Sequence, residues 1–222
     1  MAINKKTMST PFRVVVVIIC LLLVVTMIPW GALGLFSNNN QSVPGSQEAI
    51  ANRHSPGIDM LQTQLASDPT SYTVLIGIAR SYSVWASEAM MADTAGLGAD
   101  VTIWQSSVTY FNRALEIAAD NPADMMDASI ARFYSGDLDG AIQLVEAVWA
   151  IDPDFAPSHF NAGIFFETAG RTTEAIAAYT RYLELDPQGM GPGNPSVAQS
   201  AIARLSALPT TPAVGATVPP AP

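Results

Sequence analysis

The segment Pro122-Ala-Asp-Met-Met-Asp-Ala-Ser-Ile-Ala-Arg-Phe-Tyr-Ser-Gly136 and the segment Ala156-Pro-Ser-His-Phe-Asn-Ala-Gly-Ile-Phe-Phe-Glu-Thr-Ala-Gly170 open two stretches that align without a gap over 34 residues each. With Pro122 and Ala156 at position 1, Ala128 falls on Ala162, Ser129 on Gly163, Gly136 on Gly170 and Ala141 on Ala175. Further along, Val145 matches Tyr179, Ile151 matches Leu185 and Pro153 matches Pro187. Small residues at positions 8 and 20 let two helices approach closely. A glycine at position 15 closes the turn between them, and a proline at 32 ends the second helix. The pattern predicts helices near 122–135, 138–151, 156–169 and 172–185. One helix pair cannot bury both of its apolar faces, so the pairs must stack side by side. Trp149, at position 28, is expected to pack between neighbouring pairs.

These residues resemble the tetratricopeptide repeat (TPR), a helix-pair unit that scaffolds partners and seldom carries chemistry. The resemblance implies an all-α solenoid of about three repeats with capping helices, spanning 57–208. Upstream, Ile58, Leu61 and Leu65 keep helical spacing up to Asp68-Pro69. Residues 57–71 thus read as the second half of a truncated repeat. Tyr72 then becomes position 1 of repeat 72–121, with Ile78, Ala79 and Tyr82 at 7, 8 and 11 and Ser107 at 20. This repeat carries 16 extra residues, roughly 86–103, and Ala119 stands where proline is usual. The insertion either lengthens both helices or forms a binding protrusion. Repeats 122–155 and 156–189 follow, then a cap helix over 195–208 and a Pro/Ala/Thr-rich tail, 209–222, expected to be disordered. Arg171-Thr-Thr-Glu174 reads as a capped helix start.

Charge is unevenly placed. Lys5, Lys6 and Arg13 are the only charges before Glu48, and no other lysine occurs. From Glu48 onward seven arginines face 19 acids, a net charge of −12. Such a surface repels nucleic acid and anionic headgroups and is compatible with a basic or neutral protein partner. The mean hydropathy of +0.25 owes much to one segment. Val14 to Ile28 is a run of fifteen residues with only Cys20 and Thr26 mildly polar, and uncharged sequence continues to Phe36. As a helix, 14–36 would span about 34 Å, enough for a bilayer. The basic residues before it place 1–13 in the cytoplasm and the remainder outside it. The alternative is a cleaved signal peptide with Ala32-Leu33-Gly34 at its cleavage site; both readings export the domain. Ser37–Pro56, with Asn-Asn-Asn-Gln-Ser and Pro44-Gly45, reads as a flexible linker. Cys20 lacks the small upstream residue of a lipoprotein cysteine, and a lone cysteine excludes an intrachain disulfide.

No catalytic constellation emerges. His54 lies in the linker, and His159 takes a packing position. The acid pairs Asp124/Asp127 and Asp137/Asp139 fit helix starts and turns. The glycine-rich stretch Gln188–Asn194 follows no strand, so it is not a phosphate cradle. Neither enzyme activity, a cofactor, a metal nor a small-molecule substrate is expected. In TPR proteins the first helix of each pair lines a concave groove through positions 2, 5, 9, 12 and 13. The resemblance therefore nominates Ile76, Arg80, Met126, Ile130, Phe133, Tyr134, Phe160, Ile164 and Glu167 as partner-binding residues. The set is mostly apolar and lacks the basic carboxylate clamp of chaperone-binding members. It suits a peptide or amphipathic helix of another protein, unless the C-terminal helix or the insertion fills the groove within the chain. The expected function is a bacterial-type, membrane-anchored scaffold, single-pass, whose exported domain binds another envelope protein. The alternative is an accessory subunit of cytochrome c maturation that binds apocytochrome.

Overall fold

Three Asp-Pro dipeptides, Asp68-Pro69, Asp152-Pro153 and Asp186-Pro187, punctuate the chain. Proline disfavours the helical region for the residue before it. The three aspartates accordingly share φ values of −139°, −136° and −136°, each one residue past a helix end. The computed structural model describes residues 45–92 and 99–208, with Ala99 and Asp100 as backbone only. All of these belong to the unit Val43–Pro222. Among them eight α-helices succeed one another: α1 Gln47–Ser67, α2 Tyr72–Ala92, α3 Ala99–Ile117, α4 Pro122–Tyr134, α5 Leu138–Ile151, α6 Ala156–Thr168, α7 Thr172–Leu185 and α8 Pro195–Ser206. The pairs α2/α3, α4/α5 and α6/α7 are helix hairpins, with α1 and α8 packed on their outer neighbours.

Within each pair the helices meet at their small residues. Ser107 Oγ donates to the Ala79 carbonyl at 2.9 Å, which is the direct touch of position 20 on position 8. Ser129 and Ala141 are fully buried. At Gly163 an added Cβ would lie 2.5 Å from the Tyr179 ring. The turns close on Gly136 and Gly170, at φ of +93° and +72°, a region where other residues cost energy. There the amides of Asp137 and Arg171 reach back to the carbonyls of Arg132 and Phe166, satisfying the end of the first helix.

The insertion and the linker resolve together. The helix α2 has 21 residues against 13 in α4, and α3 has 19 against 14 in α5. The extra residues thus lengthen both helices; residues 93–98, between them, lie outside the described residues. The extension of α2 exposes a further apolar face, which the N-terminal half of α1 covers. Ile50 of α1 is fully buried, as are Ala86 and Ala89 of α2. Gln47 Nε2 donates to the Ala89 carbonyl at 3.1 Å, and His54 Nε2 lies 2.7 Å from Glu88 Oε2. Residues 47–56, expected as linker, are therefore helical, and α1 starts ten residues before Gly57 under a Ser46 cap. Pro56 sits inside α1, at a loss of one backbone hydrogen bond that this packing offsets.

One smaller expectation also changes. Arg171 caps α7 without any side-chain hydrogen bond to the helix amides, and it pairs instead with Glu174 at 2.7 Å. In the glycine-rich loop the Asp186 carboxylate accepts from the Met190 and Gly191 amides at 2.8 and 2.9 Å, so those donors are already used. These bonds hold the Asp186 carboxyl below its ordinary range. Among the described residues no helix is long and apolar enough to cross a membrane. The expected anchor 14–36, Cys20, residues 37–44 of the expected linker and the tail 209–222 lie outside the described residues.

Two substitutions test this architecture. Gly163→Ala gains up to about 1 kcal/mol of helix propensity. It must also displace a Tyr179 ring that is 2% exposed and cannot step aside. Overpacking of this kind costs about 1–3 kcal/mol, so the melting temperature should fall. Ile50→Ala should cost about 2–4 kcal/mol in denaturant unfolding, where a residue in a flexible linker would cost nothing measurable.

Candidate functional site

The first helices α2, α4 and α6 touch one another in turn, and no comparable contact joins the second helices α3, α5 and α7. The stack therefore has an inner face lined by first helices. On α2 this face is written as Ile76, Arg80, Val84, Ser87 and Met91, spaced three or four apart so that all project on one side. Ile76 is buried in the core around α2 and α3, whereas Val84 and Met91 are 59% and 82% exposed. On α4, Met126 is buried, Ile130 and Phe133 are half-buried, and Tyr134 is 40% exposed. On α6, Phe160, Ile164 and Glu167 are half-buried. The nine nominated residues thus divide: Ile76 and Met126 belong to the core, and the others border the inner face.

Polar groups tie α2 to α4 across this face. Arg80 donates through Nη2 to Asp124 Oδ1 at 2.7 Å and through Nε to Asp127 Oδ2 at 2.8 Å. The Tyr72 hydroxyl donates to Asp124 Oδ2 at 2.6 Å, so the buried Asp124 carboxylate has a donor on each oxygen. Burial, with this hydrogen bond, pushes Tyr72 up to about 12. Burial likewise raises the Asp127 carboxyl above its ordinary value, against the hydrogen bond and charge of Arg80. Asp124 and Asp127 therefore do more than start a helix; they join two repeats.

Trp104, in the lengthened hairpin, is 2% exposed and stacks on Tyr134 with ring centroids 5.0 Å apart. Tyr134 meets Phe133 edge-on at 5.1 Å, and Phe133 stacks on Phe165 at 4.8 Å. Beside this aromatic row opens a cavity of about 410 Å³ lined by Arg80, Ser83, Val84, Ser87, Trp104, Asp127 and Ile130. Its hydroxyls are engaged: Ser83 Oγ bonds Ser107 Oγ at 2.8 Å and Ser87 donates to the Ser83 carbonyl at 2.8 Å. Among the described residues no histidine lines it. Val84, Ser87 and Met91 were legible in principle, since they continue the Ile76–Arg80 spacing. Trp104 was not, because its place depends on how far α3 extends.

At the C-terminal end a cavity of about 530 Å³ lies between α6 and α8. Arg204 of α8 bonds Glu167 at 2.7 Å, so this nominated residue is engaged within the chain. Burial, then the charge of Glu167, raises Tyr179 to about 12. The cap helix thus closes one end of the inner face and leaves the α2–α4 end open. Among the described residues no cluster of three or more histidines, cysteines or acids could hold a metal ion.

Residues 132–205 match a family model described as the tetratricopeptide repeat. The fold is a TPR solenoid. A crystal structure of MamA superposes with a TM-score of 0.56 at 14% identity, covering 74% of this chain and 83% of that one. A thermophilic TPR protein of Thermus thermophilus gives 0.52 at 16% identity, with 80% and 90% covered. MamA from strain AMB-1 gives 0.51 at 20% identity, with 73% and 83% covered. At these identities the likeness is one of fold. The search of curated proteins found no match.

On the outer face of the TPR stack, His159 is buried against Trp149, ring centroids 5.0 Å apart, and its Nε2 donates to the Pro153 carbonyl at 2.8 Å. Burial lowers its pKa below the ordinary value, against that hydrogen bond. The neutral ring is the one that fits. Its stabilising contribution is complete above the unfolded value of about 6.5 and is lost as pH falls below it. Between pH 7.5 and 5.5 the melting temperature should therefore drop further in the wild type than in His159→Gln, measured side by side.

Proposed function

We propose that this chain is a non-enzymatic scaffold whose TPR domain, tethered by segment 14–36 and held outside the cytoplasm, binds a peptide or amphipathic helix of another envelope protein. One observation carries the binding reading: the inner face keeps an open, largely apolar stretch between α2 and α4, with Val84 59% and Tyr134 40% exposed. Apolar side chains left in water beside a preformed cavity are what a docking partner removes from solvent. The tether rests on the fifteen-residue apolar run and the basic residues before it. No inner-face residue speaks specifically for apocytochrome.

A photo-crosslinking amino acid placed at Val84 in the full chain tests the proposal without disturbing the core. Phe133→Glu would be a poor choice, since Phe133 packs on Phe165. In native membranes, Val84 should give discrete protein adducts, while the same probe at exposed Ala177, on the outer helix α7, should not. Identical adduct patterns from the two positions would remove the inner face from the function.

A further inference from the structure

The cavity between α2 and α4 borders the lengthened part of the first hairpin. The regular first helices α4 and α6 end at Tyr134 and Thr168, position 13 of their repeats, whereas α2 runs on to Ala92 and brings Ser87 to the rim. Trp104 supplies a rigid aromatic wall, fixed by its stack on Tyr134. Val84 and Ile130 complete an apolar lining. At about 410 Å³ the space lies within the range of roughly 300–1,000 Å³ typical of built ligand sites.

The rim has a sign. Two carboxylates, Asp124 and Asp127, share one guanidinium, Arg80, leaving an excess of one negative charge. Asp124 is buried and has donors on both oxygens. Asp127 is the outward one, 40% exposed, and among the described residues its Oδ1 accepts no hydrogen bond. A cation reaching the rim would meet that oxygen. An anion would meet the excess charge, set in a surface that carries a net −12 from Glu48 onward. The same balance disfavours a second copy of this acidic chain. It also disfavours the segment 209–222, which has no cationic side chain.

We infer that this pocket takes one large apolar side chain of a partner polypeptide, with a lysine or arginine next to it in sequence seated on Asp127. The inference rests on the inner-face binding reading and gives that face a partner chemistry. It reverses the charge preference of a carboxylate clamp.

The test is selection of a random heptapeptide library on the full chain in detergent micelles. Peptides pairing Phe, Trp, Leu or Ile with an adjacent Lys or Arg should be enriched at least tenfold over their starting frequency. Asp127→Asn, which leaves Arg80 paired with Asp124, should abolish the preference for a basic neighbour while keeping the apolar one. Trp104→Ala, accepted only if its circular dichroism matches wild type, should lose the enrichment altogether. Enriched peptides that compete with crosslinking at Val84 yet carry no basic residue, or that survive Trp104→Ala unchanged, overturn this inference and leave the inner-face reading standing. Enrichment that appears only after residues 209–222 are removed assigns the pocket to the chain's own tail. Absence of enrichment together with a dimer in sedimentation assigns it to a second copy. Either result overturns the inference.

Discussion

Everything in this fold depends on how closely the two helices of each pair can approach. That distance is set by side chains no larger than serine at two places per repeat: Ala79 with Ser107, Ser129 with Ala141, and Gly163 with Ala175. A larger side chain at either place would wedge the pair apart. Neighbouring pairs would then lose the common outline that lets them stack, because interiors are close-packed and do not deform gradually. Tyr179 shows how tight the tolerance is, its ring lying where the Cβ of Gly163 would go. In the other two pairs buried serines fill the space and spend their hydroxyls on carbonyls, Ser107 on Ala79 and Ser129 on Met126.

The parts of the fold legible in the sequence are those fixed by local chemistry. Asp-Pro ends a helix wherever it stands, and Gly136 and Gly170 occupy a backbone region that other residues avoid. Even with Ala119 where the other repeats have proline, α3 stops at Ile117, position 30, as α5 stops at Ile151 and α7 at Leu185. The misread part was fixed by partners distant in sequence. Residues 47–56 carry polar side chains and a proline, and taken alone they look like a linker. They become helix because Ile50, Gln47 and His54 have the lengthened end of α2 to lie against. A decision about 86–92 was thus also a decision about 47–56, and neither segment announces the other.

The site divides in the same way. The resemblance to the TPR pattern, carried along the helical phase, placed Arg80, Ile130, Tyr134 and Ile164 on the inner face. Phase could not separate that face from the seam between repeats, which is why Ile76 and Met126 turn out to be core. Nor could it show that Arg80 reaches Asp124 and Asp127, 44 and 47 residues away. Trp104 was invisible for a related reason, since its neighbour Tyr134 belongs to the following repeat. Pairings across a stack follow from geometry that exists only once the stack has formed.

The lengthened hairpin also bears on how such a molecule can change over time. Its two added segments run antiparallel, so the path that α2 carries outward is brought back by α3. The chain therefore re-enters the repeat in phase at Pro122. Length in this hairpin is uncoupled from the register of every later repeat. Insertions or deletions there would reshape one wall of the inner face and leave the rest of the solenoid as it was. The first pair is in that sense an adjustable part on a fixed frame, and the place where relatives of this protein could diverge in what they recognise at least cost to folding.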